Sequence, residues 1–227
     1  MLQVAPWALA AVLRGPRGLI RALRPSPNVS YAIGGFMAST LRTFVAVDID
    51  AAVETQVARL IKRLQKTSAK VKWVDPQHLH YTLKFLGEIH LRDVPEVCSA
   101  IEKAVRPLQS FRALAAGAGA FPELERPRTV WLGITEGQEE FVALHGVVEA
   151  ALDKLGYRRE HRRFRPHLTL GRVRQSPSGI EELGQLIQQH QDFIAGELYV
   201  SEVKIFSSVL TKDGPHYTPL GTAELRG

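Results

Sequence analysis

Hydrophobic and polar residues alternate over several short segments of the chain, and this period of two is typical of β-strands that bury one face. The segments with this pattern cover residues 42–48, 71–74, 80–86, 111–120, 129–134, 167–173, 197–207 and 216–225. In segment 197–207 the alternation changes phase near Ser201 and Glu202, which we interpret as a bulge within one strand. The pattern therefore predicts a protein rich in short strands.

Strict alternation divides the side chains around segment 80–86 between two faces. The buried face is predicted to hold Leu79, Tyr81, Leu83 and Phe85, and the opposite face His80, Thr82 and Lys84. Gly87 is predicted to close this strand. Since residues two apart on a strand point to the same side, we expect His80 and Thr82 to project next to each other.

Between the strands, apolar positions recur every three or four residues, which is the period of an amphipathic helix. The predicted helices cover residues 51–67, 91–106, 138–155 and 179–189. Asp50 precedes the first as an N-cap, Pro107 follows the second, and Gly156 follows the third. Because helices and strands are interspersed, we expect a mixed α and β fold.

The first 41 residues differ in composition from the rest. They contain arginine but no acidic residue, and proline interrupts them at Pro6, Pro16, Pro25 and Pro27. Three interpretations compete: an organellar transit peptide, a flexible basic tail, or an upstream start codon, with Met37 just before the first strand. We favour the third, and expect a disordered or misassigned extension over 1–41 and a single functional domain over 42–227.

The composition is that of an ordinary globular protein, with 45% hydrophobic and 23% charged residues among 227. The net charge is +6, and the arginine-rich start leaves the remainder only mildly basic. This charge suits a small phosphate-bearing ligand or one nucleic-acid strand better than a duplex. The lone Cys98 excludes an internal disulfide and predicts a reducing, cytoplasmic location, and no segment approaches the about 20 apolar residues that cross a bilayer.

One four-residue motif occurs twice in the chain. It reads HYTL at residues 80–83 and HLTL at 167–170, in each case within an apolar, strand-like segment. The copies lie 87 residues apart, which is close to half of the predicted domain. This spacing suggests two similar lobes, each of which supplies one His-any-Thr strand.

Two histidines and two hydroxyl side chains suit phosphoryl transfer at a phosphodiester. One imidazole takes a proton from the attacking oxygen and the other gives one to the leaving oxygen, because an ordinary pKa of about 6.5 lets both protonation states coexist. Thr82 and Thr169 could donate hydrogen bonds to the non-bridging phosphate oxygens. This chemistry requires neither a metal nor a cofactor.

Further segments extend the motif into a recognisable pattern. They read RTFVAV at 42–47, RTVWLG at 128–133, RPHLTLGR at 165–172, SVL at 208–210 and GPHY at 214–217. Together with the doublet they resemble the 2H phosphoesterase superfamily, and within it the bacterial and archaeal RNA 2′,3′-cyclic phosphodiesterases, also called 2′-5′ RNA ligases. The resemblance runs from about Arg42 to the C-terminus.

The resemblance implies an α+β fold with two pseudo-symmetric lobes, in which two antiparallel sheets face a central cleft and the helices lie outside. It also implies metal-independent hydrolysis of 2′,3′-cyclic phosphate ends to 2′-phosphates. Its pattern assigns His80 as the proton donor and His167 as the proton acceptor. The implied partners are RNA ends or a small cyclic nucleotide, without a membrane, and we expect a monomer.

Other residues near the motifs are candidates for substrate binding. Arg172 could bind phosphate, although strict alternation places it on the face opposite His167, and Arg165 has the right parity but is followed by proline. Tyr217 could stack on a base, and the basic loop 158–165 could contact an RNA backbone. His78 is too isolated from further ligands to predict a metal site.

Two alternatives to the hydrolase remain open. The same fold could be a non-catalytic module that binds RNA or nucleotides in its cleft, or it could ligate RNA by a reversal of related chemistry. The presence of both histidines and both threonines favours the hydrolase.

Overall fold

A computed structural model describes residues 39–174, 178–212 and 214–227, and these residues form nine strands and four α-helices. The strands are β1 (Thr40–Asp48), β2 (Val71–Trp73), β3 (His80–His90), β4 (Phe111–Phe121), β5 (Thr129–Glu136), β6 (Leu168–Val173), β7 (Ile194–Val200), β8 (Glu202–Thr211) and β9 (Gly214–Glu224). The helices are α1 (Ala51–Leu64), α2 (Val94–Val105), α3 (Gln138–Asp153) and α4 (Ile180–Gln188).

The helices form where the apolar period predicts them. In α1 the side chain of Asp50 accepts a hydrogen bond from the Val53 N–H at 2.8 Å, which confirms the predicted N-cap. The same helix buries one stripe of apolar residues, Val53, Val57, Leu60, Ile61 and Leu64. Each helix thus buries its apolar side and leaves its polar side to solvent.

All strands pair antiparallel, and their order across the sheet is β7-β4-β5-β6-β3-β1-β8-β9, with β2 pairing with β6. The predicted α+β class is confirmed. The two predicted sheets are halves of one hydrogen-bonded sheet, joined between β3 and β6 at the pair Tyr81 and Leu168. These residues occupy the same position in the two copies of the motif, so the pseudo-symmetry of the sequence is also that of the sheet.

One face of the sheet packs against the helices and forms the main core. That core includes Tyr81 and Leu168, both 0% exposed, and the buried stripes of the helices. The other face carries a small separate hydrophobic cluster of Phe44, Ala46 and Phe206, with Tyr217 packed against it. The helices therefore lie on one side of the sheet, and the motif histidines lie on the other side.

Strict alternation predicts the wrong faces for Lys84 and Phe85. Thr82 pairs with Ala46 but Lys84 pairs with Val45, so Leu83 is an extra residue in β3 and reverses the parity after it. Lys84 is consequently 2% exposed in the core, whereas Phe85 is 53% exposed beside Phe44. The prediction that Gly87 closes the strand is also wrong, because β3 continues through it to His90.

The predicted single strand over 197–207 is in fact two strands. β7 pairs with β4 at one edge of the sheet, while β8 pairs with β1 near the opposite edge. Only Ser201 separates them. Because one residue spans about 3.5 Å, these two regions must lie close together, which requires the sheet to curl strongly. The phase change in the sequence thus reflects a change of pairing partner.

The remaining predictions concern the ends of the domain and its environment. Nearly all of the predicted 1–41 extension, and Asp213 of the predicted turn, lie outside the described residues. In the part of the chain that is described, no helix is long and apolar enough to cross a membrane. Cys98 is buried in α2, and burial raises the pKa of its thiol to about 11, so the thiol is held in its unreactive form.

Candidate active site

The pairing of Tyr81 with Leu168 brings the two motifs together on the free face of the sheet. In an antiparallel pair, the residue before one of these two lies opposite the residue after the other. His80 therefore lies across from Thr169, and Thr82 lies across from His167. Since Tyr81 and Leu168 point into the core, all four of these side chains point to the other face.

Both imidazoles are oriented by the same contact. His80 Nδ1 lies 2.9 Å from the carbonyl oxygen of His78, and His167 Nδ1 lies 2.7 Å from that of Arg165. A carbonyl oxygen only accepts hydrogen bonds, so in both rings Nδ1 carries the proton and donates it. Nε2 is then the nitrogen that can exchange a proton with a substrate.

Aromatic rings surround His80. Its ring stacks on Phe44 with 4.7 Å between centroids, and Tyr217 meets it edge-on at 5.4 Å. Asp48 pairs with His80 across β1 and β3, and its Oδ2 accepts from Lys204 Nζ at 2.6 Å. The first histidine therefore has an apolar support and a carboxylate neighbour.

The surroundings of His167 carry the opposite charge. Phe121 meets its ring edge-on at 5.0 Å, and the guanidinium of Arg162 lies 5.3 Å from the centre of the Phe121 ring. Arg172 adds a second positive charge close enough to act on the same imidazole. The two halves of the site thus differ in charge although their backbones are related.

Burial lowers the pKa of both histidines below its ordinary value, because a buried imidazolium loses hydration. In each case the hydrogen bond to a carbonyl opposes this effect. The charge of Asp48 also opposes it and raises the pKa of His80, whereas Arg162 and Arg172 lower the pKa of His167 further. The nearby charges thus favour a protonated His80 and a neutral His167.

The structure corrects the predicted position of Arg172. Val130 pairs with Gly171 but Trp131 pairs with Thr169, so Leu170 is an extra residue in β6. Arg172 pairs with Thr129, which has the same parity in β5 as Trp131, and it therefore shares the face of Thr169. Its charge acts on the pKa of Tyr217 as well as that of His167. The bulge thus brings Arg172 to the site.

The other predicted residues divide into two groups. Tyr217 lies at the site, in contact with both His78 and His80. Arg165 contributes its backbone carbonyl, whereas its side chain is exposed and its contact with a substrate stays a prediction. Among the described residues, no group of three or more His, Cys, Asp or Glu side chains is placed to hold a metal ion.

The sequence does not identify Asp48 and Phe121 as neighbours of the histidines, and it indicates Arg162 only as part of the basic loop 158–165. Asp48 ends the first predicted strand, and its position opposite His80 depends on the pairing of β1 with β3. Phe121 and Arg162 reach His167 from β4 and from the loop before β6. The basic composition of that loop was the one available signal.

The fold and the paired motifs define a two-lobed phosphoesterase-like protein, and comparison with known proteins identifies its family. The model of the 2′-5′ RNA ligase superfamily matches residues 49–210, and the chain belongs to this superfamily.

Similar proteins with known names agree with this assignment. An RNA 2′,3′-cyclic phosphodiesterase of Methanothermobacter thermautotrophicus is 37% identical over 79% of this chain and 96% of its own length. A protein of the same name from Thermotoga maritima is 34% identical over 82% of this chain and 97% of its own.

Solved structures share the fold. The crystal structure of TT0787 of Thermus thermophilus superposes with a TM-score of 0.69 at 27% identity, covering 82% of this chain and 99% of its own. That of E. coli LigT complexed with 3′-AMP has a TM-score of 0.64 at 24% identity, covering 83% and 99%.

Proposed function

We propose that this protein hydrolyses 2′,3′-cyclic phosphates at RNA ends to 2′-phosphates. The observation that carries the proposal is the pair of imidazoles, each oriented through Nδ1 by a carbonyl two residues earlier, with opposite charges beside them. The names of the relatives at 37% and 34% identity support the same reaction.

In the proposed reaction His167 Nε2 takes a proton from a water molecule while the water oxygen attacks phosphorus. The bond between phosphorus and the 3′ oxygen breaks, and His80 Nε2 donates its proton to that oxygen. The products are a 2′-phosphate and a free 3′ hydroxyl, and each histidine ends in the protonation state in which the other began. The charges support these roles, since Asp48 favours the acid form of His80 and the arginines favour the base form of His167.

The remaining polar groups suit the charge that develops on the phosphate. Thr82 and Thr169 present hydroxyl groups beside the opposite histidines, and Arg172 presents a guanidinium on the same face. Such donors stabilise the transition state more than the ground state when the negative charge increases during reaction. The two imidazoles supply both proton transfers, so the mechanism does not require a metal ion.

A single chain in the cytoplasm is the expected setting of the reaction. Both histidines come from one chain, so a monomer is sufficient for catalysis. The chain has the single buried Cys98, which supports action in the reducing cytoplasm.

The test is an assay of the purified protein on an oligonucleotide that ends in a 2′,3′-cyclic phosphate, with and without EDTA. We expect turnover that EDTA leaves unchanged and a product with the phosphate on the 2′ oxygen. Mass spectrometry after phosphatase treatment shows that the cyclic phosphate has opened, and chromatography against both isomers distinguishes the 2′- from the 3′-phosphate. A 3′-phosphate product would reverse the assigned leaving group, and EDTA-sensitive turnover would contradict the two-histidine mechanism.

The charge next to His80 predicts a specific change in the pH profile. kcat/KM should be bell-shaped, falling at low pH as His167 is protonated and at high pH as His80 loses its proton. In Asp48→Asn the carboxylate that raises the pKa of His80 is gone, so this pKa falls and the high-pH side of the profile moves to lower pH.

Glu202→Gln is the matched control for Asp48→Asn. Glu202 contacts the same Lys204 at 3.3 Å, but its charge does not act on His80. We expect the wild-type profile in this variant. An equal shift in both variants would show that loss of the Lys204 contact, and not the charge beside His80, moves the profile.

A further inference from the structure

Lys84 is an ammonium group buried in the core, next to the site but pointing away from it. Its side chain is 2% exposed, and its Nζ lies 2.5 Å from Glu149 Oε1 of α3. It also donates to the carbonyl oxygen of Arg158 at 2.9 Å. Lys84 therefore connects a strand that carries one histidine to the loop that precedes the other.

The loop in question, residues 154–167, contains neither a helix nor a strand in the described structure. Contacts with one face of α3 hold it. Glu149 Oε2 accepts from the Glu160 N–H at 3.4 Å, and His145, one turn earlier, stacks on Phe164 with 4.0 Å between parallel rings. The loop is thus anchored at three residues, Arg158, Glu160 and Phe164. Their partners are Lys84, Glu149 and His145 respectively.

Arg162 lies in the part of the loop that these contacts anchor. Its guanidinium lies 5.3 Å from the centre of Phe121, whose edge contacts His167. Arg162 itself is exposed, and along the chain it lies between Glu160 and Phe164, the two loop residues that contact α3. The placement of a positive charge beside His167 thus depends on how the loop is held.

Stability alone does not account for a charge pair at this position. Burying a lysine and a glutamate costs hydration that their attraction often only balances, and apolar residues of similar size commonly replace such pairs without loss. The pair does, however, supply directional hydrogen bonds to two backbone groups of the loop, which apolar side chains cannot do.

We propose that Lys84 and Glu149 are positioning residues that hold the loop so that Arg162 binds a phosphate of the RNA chain next to the reacting end. This inference rests on the proposed function, since it assigns a further contact to the same substrate. The ligand group is a phosphodiester, which an arginine binds through charge-assisted hydrogen bonds.

The test compares Arg162→Ala, the double variant Lys84→Met with Glu149→Leu, and the combination of all three. On a cyclic-phosphate oligonucleotide, Arg162→Ala is expected to raise KM by about tenfold, the loss of one charge-assisted contact. It should also move the low-pH side of the profile to higher pH, because a charge that lowers the pKa of His167 is removed. The double variant should raise KM similarly. If it acts through Arg162, adding Arg162→Ala to it should change KM by less than about twofold.

The loop itself provides a readout that does not depend on catalysis. Residues 158–165 include five arginines, so trypsin can report how firmly the loop is held. We expect peptides that begin at residues 159–164 to appear faster from the double variant than from the wild type. Binding of the oligonucleotide, followed by fluorescence anisotropy, should weaken in parallel with the rise in KM.

Two further variants keep the test decisive. Arg112→Ala with Glu197→Ala removes an exposed ion pair between β4 and β7 and should leave digestion and KM unchanged. Glu149→Gln keeps the side-chain size and serves if the double variant does not fold; it should show the same changes at about threefold in KM.

Multiplicative effects of the pair and of Arg162→Ala would overturn the proposal, as would wild-type digestion and KM in Glu149→Gln. Failure of the proposed function would look different: the wild type itself would not turn over the oligonucleotide, while digestion and binding could still be compared.

Discussion

Replacement of His80 or His167 by alanine is expected to lower kcat by about 10² to 10⁴, the usual contribution of one proton transfer in general acid–base catalysis. In both imidazoles Nδ1 donates to a carbonyl oxygen, so Nε2 is the nitrogen that can exchange a proton, and neither threonine can replace them as a titrating group near neutral pH. Steady-state kinetics on a cyclic-phosphate oligonucleotide measure the loss. Oligonucleotide binding should be affected much less than turnover.

The two single variants should differ in how a better leaving group affects them. If His80 protonates the leaving oxygen, a substrate whose leaving group needs no proton should restore most of the activity of His80→Ala and little of that of His167→Ala. Rescue of His167→Ala instead would exchange the assigned roles.

His90→Ala is the matched control for both histidine variants. It changes the same residue type at the far, exposed end of the same strand, β3, and should retain wild-type activity. The double variant of His80 and His167 should be about as slow as the slower single variant, because residues that act in one step are not additive. Turnover at the wild-type rate in either single variant would refute the mechanism.

The second large effect concerns the junction of the two halves. Tyr81→Ala is expected to lower the free energy of unfolding by about 3–5 kcal/mol, as for other large buried aromatics. Tyr81 is 0% exposed, pairs with Leu168 where β3 meets β6, and packs 5.2 Å from the ring of Phe141 in α3. Since small domains are stable by about 5–15 kcal/mol, this loss is severe. Urea unfolding followed by circular dichroism measures it.

Two variants separate packing from other effects at this position. Tyr81→Phe removes only the hydrogen bond from its hydroxyl to the Gly133 carbonyl, at 3.2 Å, and should cost about 1 kcal/mol. Tyr199→Ala removes an aromatic ring that is 68% exposed on β7 and should change stability by less than about 0.5 kcal/mol. If Tyr81→Ala and Tyr199→Ala lowered the free energy of unfolding equally, the packing of Tyr81 at the junction would not stabilise the fold more than an exposed ring does.

Much of this fold follows from local patterns. The helices begin and end near the predicted residues because caps and apolar stripes act within a few residues, as Asp50 does at α1. The strands before residue 197 also lie in the segments that alternate, although β3 continues past its predicted end at Gly87 to His90. The prediction failed where the register departs from strict alternation, at Leu83 and Leu170, and where the pairing partner changes, at Ser201.

Those failures have one physical cause. A bulge is a property of two paired strands, since it exists only as an extra residue relative to a partner. The sequence of β3 does not show that Val45 of β1 lies opposite Lys84, and so it does not show that Lys84 is buried beside Glu149. The same holds for Arg172, which reaches the site only because Leu170 is extra.

The amino-acid sequence by itself determined that this protein has two equivalent His-any-Thr strands, because identity and spacing of residues are properties of the chain alone. The tertiary structure decided how they meet: the pair Tyr81 and Leu168 joins the motifs in crossed order on one face. It also decided the charges beside them, with Asp48 at His80 and Arg162 and Arg172 at His167. Coulomb interactions depend on distance in space, and only the folded sheet and the anchored loop 154–167 set those distances.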